Sequence, residues 1–250
     1  HYSLTFTSGG SSHSEMWLRD WAASWGMNVR LLNQTHRLAA INVTGPLTNE
    51  LLALAGLPNP PAYLRHTAAT VAGVDCHVYR LRFTGELSYE LHVPVETAAK
   101  LWRELLRLGQ PLGIKPHGLE VLRLLRLEKG HIIIGQDTDM DSTPRRIHHE
   151  WAVKLDQPDF IGKTMVEFTN EIPLDKQLVG LEMATAEAPM EGATIYNQAG
   201  DYVGYVTSSG YSPVLGKAVM LAWLYLADGA LPNEVTIEGK TAVRAALPFY

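Results

Sequence analysis

The last third of the chain is cut into short β-prone runs at 178–183, 194–196, 202–207, 218–225, 234–237 and 242–246, separated by Gly, Pro or Asn turns. Val, Ile, Tyr and Thr favour extended backbone, and turns this frequent leave no room for a helix of useful length. Segments of this kind bury an apolar face only by pairing with one another. The pattern therefore predicts an antiparallel sandwich or barrel.

The earlier residues read differently. Helix signals fall at 14–25, where Trp17, Leu18, Trp21 and Trp25 share a face, and at 47–55, 97–108 and 119–127. The leucine-rich stretch 119–127 reads as mostly buried. Strand signals fall at 2–7, 28–32, 37–43 and 88–93, with a hairpin over 66–83 turning at Gly73. Helices mixed with hairpins predict an α+β body, expected over 1–165, with the β-rich unit over 166–250.

Composition removes several function classes. With 26 acidic and 21 basic side chains the net charge is −5, which argues against a nucleic-acid partner. Apolar residues at 46% against 19% charged are enough for a sizeable core and exclude a disordered chain. The apolar run 218–227 is far below the roughly 20 residues that cross a bilayer, so no membrane partner is expected. Cys76 is the only cysteine. It has no partner for an internal disulfide, which suits a reducing, cytoplasmic location.

Several local motifs fail on their own chemistry. Gly162-Lys163-Thr164 ends like a phosphate loop, but the first glycine that loop needs is replaced by Gln157. Asp137, Asp139 and Asp141 are spaced like calcium ligands, yet Ser142 stands where the loop requires glycine and His148 where it requires glutamate. His148-His149-Glu150 lacks a second histidine at zinc spacing, and no metal site is expected. Phe83-Thr84-Gly85-Glu86-Leu87-Ser88-Tyr89-Glu90 says more. On a strand, Leu87, Tyr89 and Leu91 take one face and Glu86, Ser88 and Glu90 the other. A carboxylate fixed there can accept two parallel N–H bonds from a flat heterocycle, although an ordinary solvated strand face has the same spacing.

Together with Leu125-Arg126-Leu127-Glu128-Lys129-Gly130 and Gly135-Gln136-Asp137-Thr138-Asp139, this segment resembles the glycine-cleavage T-protein (aminomethyltransferase) superfamily. Trp151-Ala152-Val153, Pro158-Asp159-Phe160-Ile161-Gly162-Lys163 and the tail motif at 206–217 extend the likeness over essentially the whole chain. The wording at 128–139 is most like the folate-binding domain of the sarcosine oxidase alpha subunit. The resemblance implies a T-protein-like body of ferredoxin-like α/β subdomains followed by a C-terminal antiparallel β-barrel.

It also implies a tetrahydrofolate site that captures a one-carbon unit from an iminium or aminomethyl donor. The pterin-recognising glutamate maps onto Glu90, and a folate-stacking tyrosine onto Phe83. Thr7 falls where the glycine-cleavage branch has an asparagine near the reacting nitrogen, and Leu122 where that branch has a folate-contacting arginine. Arg145 and Arg146 are candidates to meet folate's acidic tail. The family's catalytic aspartate maps upstream of His1, so the chain reads as truncated at its N-terminus and impaired in catalysis. The reading favoured on these grounds is the folate domain of a sarcosine oxidase-like enzyme, with flavoprotein subunits as partners and 5,10-methylenetetrahydrofolate as product. A stand-alone aminomethyltransferase and a non-enzymatic folate-binding protein are the alternatives.

Overall fold

In the computed structural model, strand β4 (Ser88–Pro94) sends Tyr89, Leu91 and Val93 to one side and Ser88, Glu90 and His92 to the other. The same alternation runs through β1 (Leu38–Thr44), β2 (His66–Val71) and β3 (Val74–Tyr79). These strands form an antiparallel sheet in the order β1-β4-β3-β2. Its apolar face, including Ile41, Val78 and Leu91, is covered by Leu51 and Leu52 of α2 (Thr48–Leu54) and Leu101 and Leu105 of α3 (Val95–Gly109). Each such side chain withdrawn from water is worth about 1.5–3 kcal/mol, so this face organises the unit. The β2–β3 turn uses Ala72 and Gly73, both at positive φ, as a two-residue hairpin with right-handed twist requires.

The structure describes residues 1–250, the side chain of Ser8 excepted, and they divide into two compact units, His1–Arg123 and Leu124–Tyr250. In the first unit α1 (Ser11–Ser24) buries none of its residues. Its tryptophans instead pack on one another, with ring centroids 6.2 Å apart for Trp17–Trp21 and 5.0 Å for Trp21–Trp25. Residues 2–7 and 28–32 are not strands. Alternation alone does not make one: without a neighbouring ladder an extended segment leaves its backbone groups to water.

Helix α4 (Leu119–Glu128) differs from the expectation too, since Leu119 is 77% and Val121 46% exposed. Only its last turn, with Arg126, Leu127 and Glu128, is buried. That turn belongs to the second unit, together with α5 (Lys163–Glu171) and a closed antiparallel barrel of order β10-β5-β8-β7-β6-β9. The barrel strands are β5 (Lys176–Met183), β6 (Thr194–Tyr196), β7 (Tyr202–Ser212), β8 (Lys217–Tyr225), β9 (Glu234–Ile237) and β10 (Lys240–Ala245). Closure leaves no unpaired edge, and the α+β body followed by an antiparallel barrel is the fold class expected.

Strand β8 is buried on both sides. Ala218, Met220, Ala222 and Leu224 fill one cluster, while Val219, Leu221 and Trp223 pack with Leu127 and Leu178 in another. Gly204 on β7 is required by close approach, because a Cβ there would run into the Trp223 carbonyl oxygen. Packing of the 124–165 segment with the barrel places the division of compact units at Arg123/Leu124. Among the described residues, no helix is long and apolar enough to cross a membrane.

Candidate functional site

The polar face of the first unit's sheet carries the carboxylate singled out by the sequence. Glu90 lies opposite Asn42 of β1 and Tyr79 of β3 in strand register. Its neighbours Tyr89 and Leu91 are 1% and 0% exposed, which holds the strand and turns Glu90 to the opposite face. Glu90 keeps 27% of its side chain exposed, and its Oε2 lies 3.0 Å from Nε2 of His92. His92 packs against the Tyr79 ring at 4.6 Å, and His66 stacks on the other flank of Tyr79 at 5.3 Å. The row therefore combines one partly open carboxylate with planar rings.

Beside it, Asn42 donates from Nδ2 to Ser88 Oγ at 2.8 Å, and its Oδ1 is buried with no hydrogen-bond partner. Thr44 and Thr84 share a hydroxyl hydrogen bond of 3.0 Å. On the covered face the Tyr89 hydroxyl donates to Asn49. Burial pushes the Tyr89 phenol above its ordinary value, an effect partly opposed by the nearby Arg80 guanidinium. Burial likewise raises the Cys76 thiol, which suits a packing residue and not a nucleophile.

The other expected site residues are placed as follows. Phe83 lies in the turn between β3 and β4, seven positions before Glu90, and is 36% exposed. Thr7 is exposed in the N-terminal stretch, where its carbonyl accepts from Gly10 N and its side chain makes no capping bond. Glu90 is hydrogen-bonded to His92 and to neither Thr7 nor Phe83. His92 was missed by sequence reasoning, although its spacing of two from Glu90 puts both on one strand face.

Arg145 and Arg146, the candidates for folate's acidic tail, both make hydrogen bonds within the chain. Arg145 donates to the carbonyls of Asn170 and Ile172, while Arg146 donates to Asp141 O and pairs with Asp175 at 2.7 Å. Through these bonds they staple neighbouring segments together. The aspartates at 137–141 are structural as well. Asp139 and Asp141 lie 3.1 and 3.8 Å from Lys176 Nζ, and Ser142 caps Asp139. Burial would raise the Asp139 carboxyl, but hydrogen bonds from Ser142 and Lys176 outweigh it and hold the group below its ordinary value. Among the described residues no cluster of His, Cys, Asp and Glu is placed to hold a metal ion.

The segment at 125–139 forms a buried polar knot. Arg126, 1% exposed, reaches Asp137 at 2.7 Å, His131 O at 2.9 Å and Ser208 Oγ at 2.7 Å. Asp137, fully buried, also accepts from Thr207, Ser208 and Ile133 N, while Trp223 Nε1 donates to its carbonyl. Gln136 adds bonds to Thr207 O and Ser208 Oγ. This part of the motif ties a loop to strand β7.

Two family models cover the chain: the GCVT N-terminal domain matches residues 1–157, and the glycine cleavage T-protein C-terminal barrel domain matches 176–250. The chain belongs to the glycine-cleavage T-protein family. An aminomethyltransferase of Halothermothrix orenii is 31% identical over 87% of the chain and 60% of its own length. The name aminomethyltransferase recurs among other relatives, covered over 63% to 65% of their lengths. A sarcosine oxidase subunit alpha of a Corynebacterium is 33% identical over 86% of the chain and 24% of that protein. Aminomethyltransferase T of Bartonella henselae shares the fold, with a TM-score of 0.84 at 24% identity over 97% of the chain and 67% of that structure. This T-protein family chain thus spans less than two thirds of the length of the first of these relatives.

Proposed function

We propose that the chain holds tetrahydrofolate at Glu90 and serves one-carbon transfer of the aminomethyltransferase kind. The observation that carries this reading is a strand-mounted carboxylate, partly open to solvent, on a sheet whose other face is a packed core. A pterin edge presents a ring N–H beside an exocyclic amine, matched to the two oxygens of one carboxylate. Oε2 is anchored by His92, and among the described residues Oε1 has no hydrogen-bond partner, so the group has capacity for both donors. Phe83 would stack on the folate without the hydroxyl of a tyrosine, and Thr7 would lie near the reacting nitrogen. The functional division that goes with this reading is a folate-holding body over 1–165 and a barrel over 166–250.

Leu122 and Phe83 had pointed to the sarcosine oxidase branch. The recurrence of aminomethyltransferases among the relatives favours the alternative, transfer from an aminomethyl group on a lipoyl carrier protein. The sarcosine oxidase relative, at similar identity, supports a second reading in which the one-carbon unit comes from an oxidised N-methyl amine.

The chain should bind tetrahydrofolate and, mixed with aminomethyl-loaded lipoyl carrier protein, form 5,10-methylenetetrahydrofolate at a rate well below that of a full-length aminomethyltransferase. Glu90→Ala should weaken tetrahydrofolate binding about tenfold or more, as expected when a charged hydrogen-bond acceptor is lost. Product formed only when sarcosine is oxidised by a flavoprotein partner would select the second reading. Unchanged affinity in Glu90→Ala would overturn the placement of folate.

A further inference from the structure

We propose that His92 is a positioning residue for Glu90, its Nε2–H donating to Oε2 and fixing the carboxylate for a ligand that presents paired N–H donors. The proposal rests on the reading of Glu90 as the folate-holding group. A glutamate turns about three side-chain torsions, and a two-point hydrogen bond is made only when the carboxylate plane is set in advance. Among the described residues His92 is the single hydrogen-bond partner of the Glu90 carboxylate, at 3.0 Å, and it is only 16% exposed.

The imidazole is itself held. It lies against Tyr79 at 4.6 Å, and Tyr79 is the β3 residue directly opposite Glu90. His66 and His77 flank Tyr79 at 5.3 and 6.4 Å. The strand positions facing the same way are Ser88 on β4, Ala40, Asn42 and Thr44 on β1, Ala68 and Thr70 on β2, and Asp75 on β3. None of them is a lysine or arginine, so no fixed cation from these four strands competes with the imidazole for the carboxylate. A bond from His92 to one lone pair of Oε2 leaves the second lone pair and all of Oε1 for the ligand.

The test is a titration of the 250-residue chain with 5-formyltetrahydrofolate, comparing His92→Phe, His92→Gln, Glu90→Ala and the double variant, each checked for folding by circular dichroism. His92→Phe keeps the ring packing and should bind about fivefold more weakly, the size of one lost hydrogen bond. His92→Gln, which keeps an N–H donor, should recover most of that loss. In the Glu90→Ala background His92→Phe should change affinity by less than about twofold, because a residue acting only through Glu90 has nothing left to orient. If His92→Phe does not fold, His92→Leu supplies the same comparison.

Loss in Glu90→Ala with no loss in His92→Phe would overturn the role of His92 and leave the folate reading standing. An equal fivefold loss in both backgrounds would show His92 to be merely structural, and failure of glutamine to rescue would equally overturn the proposal. If Glu90→Ala binds as well as the parent, the folate reading itself fails.

Discussion

At the scale of single residues, two carboxylates define the molecule in opposite ways. Asp137 is fully buried and its carboxylate is bonded by Arg126, Thr207, Ser208 and Ile133 N, whereas the Glu90 carboxylate is partly open and bonded to His92 alone. Breaking a buried ion pair leaves its partner charged and unpaired, so Asp137→Asn should destabilise the second unit by about 3–5 kcal/mol. Chemical denaturation read by Trp223 fluorescence would check this, and a loss below about 1 kcal/mol would show that the knot is not a major support. Glu90 was legible in the sequence because apolar neighbours at a period of two announce which way a strand residue points. His92 carried the same signal and was passed over. The pairings of Arg145 and Arg146 were not legible, because Arg145 bonds carbonyls 25 and 27 residues further along the chain and Arg146 bonds the Asp141 carbonyl and the distant Asp175 carboxylate.

At the scale of elements, strong periodicity was translated faithfully where the segment found partners. The hairpin, β4, α3 and the six barrel strands formed where the pattern placed them, within a few residues at the ends. Residues 2–7 carried equal alternation and formed no strand, since pairing depends on partners that a local window does not contain. The end of α4 shows the same limit, because its buried arginine and glutamate look like surface residues until Asp137 and Ser212 are seen beside them.

The loop at 139–146 joins β5 through Lys176 and Asp175, and both Asp139 and Asp175 are held below the ordinary carboxylate value of 3.8. For Asp175 burial acts upward but is outweighed by backbone hydrogen bonds and by Arg146. A depressed carboxyl contributes stability above its unfolded value and loses it as pH falls through the folded one. Melting temperature should therefore drop as pH is lowered below about 4. Lys176→Met should flatten that drop. The effect should be modest, because the two carboxyls remain 40% and 60% exposed. An unchanged slope in the variant would contradict the role of Lys176.

At the scale of the whole molecule, the fold class was readable: an α+β body bearing Glu90 on its sheet, followed by a closed antiparallel barrel with its own core. Contacts such as Leu127 with Trp223, far apart in sequence, put 124–165 in the same compact unit as the barrel. A net charge of −5 adds a constraint, since the proposed anionic folate would approach against an unfavourable overall field and would have to be recognised by local geometry. Under the proposed folate reading Glu90 would suit that requirement, meeting the uncharged N–H edge of the pterin and not its acidic tail.

The most direct measurement is a crystal structure of the chain with 5-formyltetrahydrofolate bound. The account predicts the pteridine edge within about 2.7–3.1 Å of both Glu90 oxygens, with His92 still bonded to Oε2. A pteridine bound elsewhere, with Glu90 facing only solvent, would contradict it.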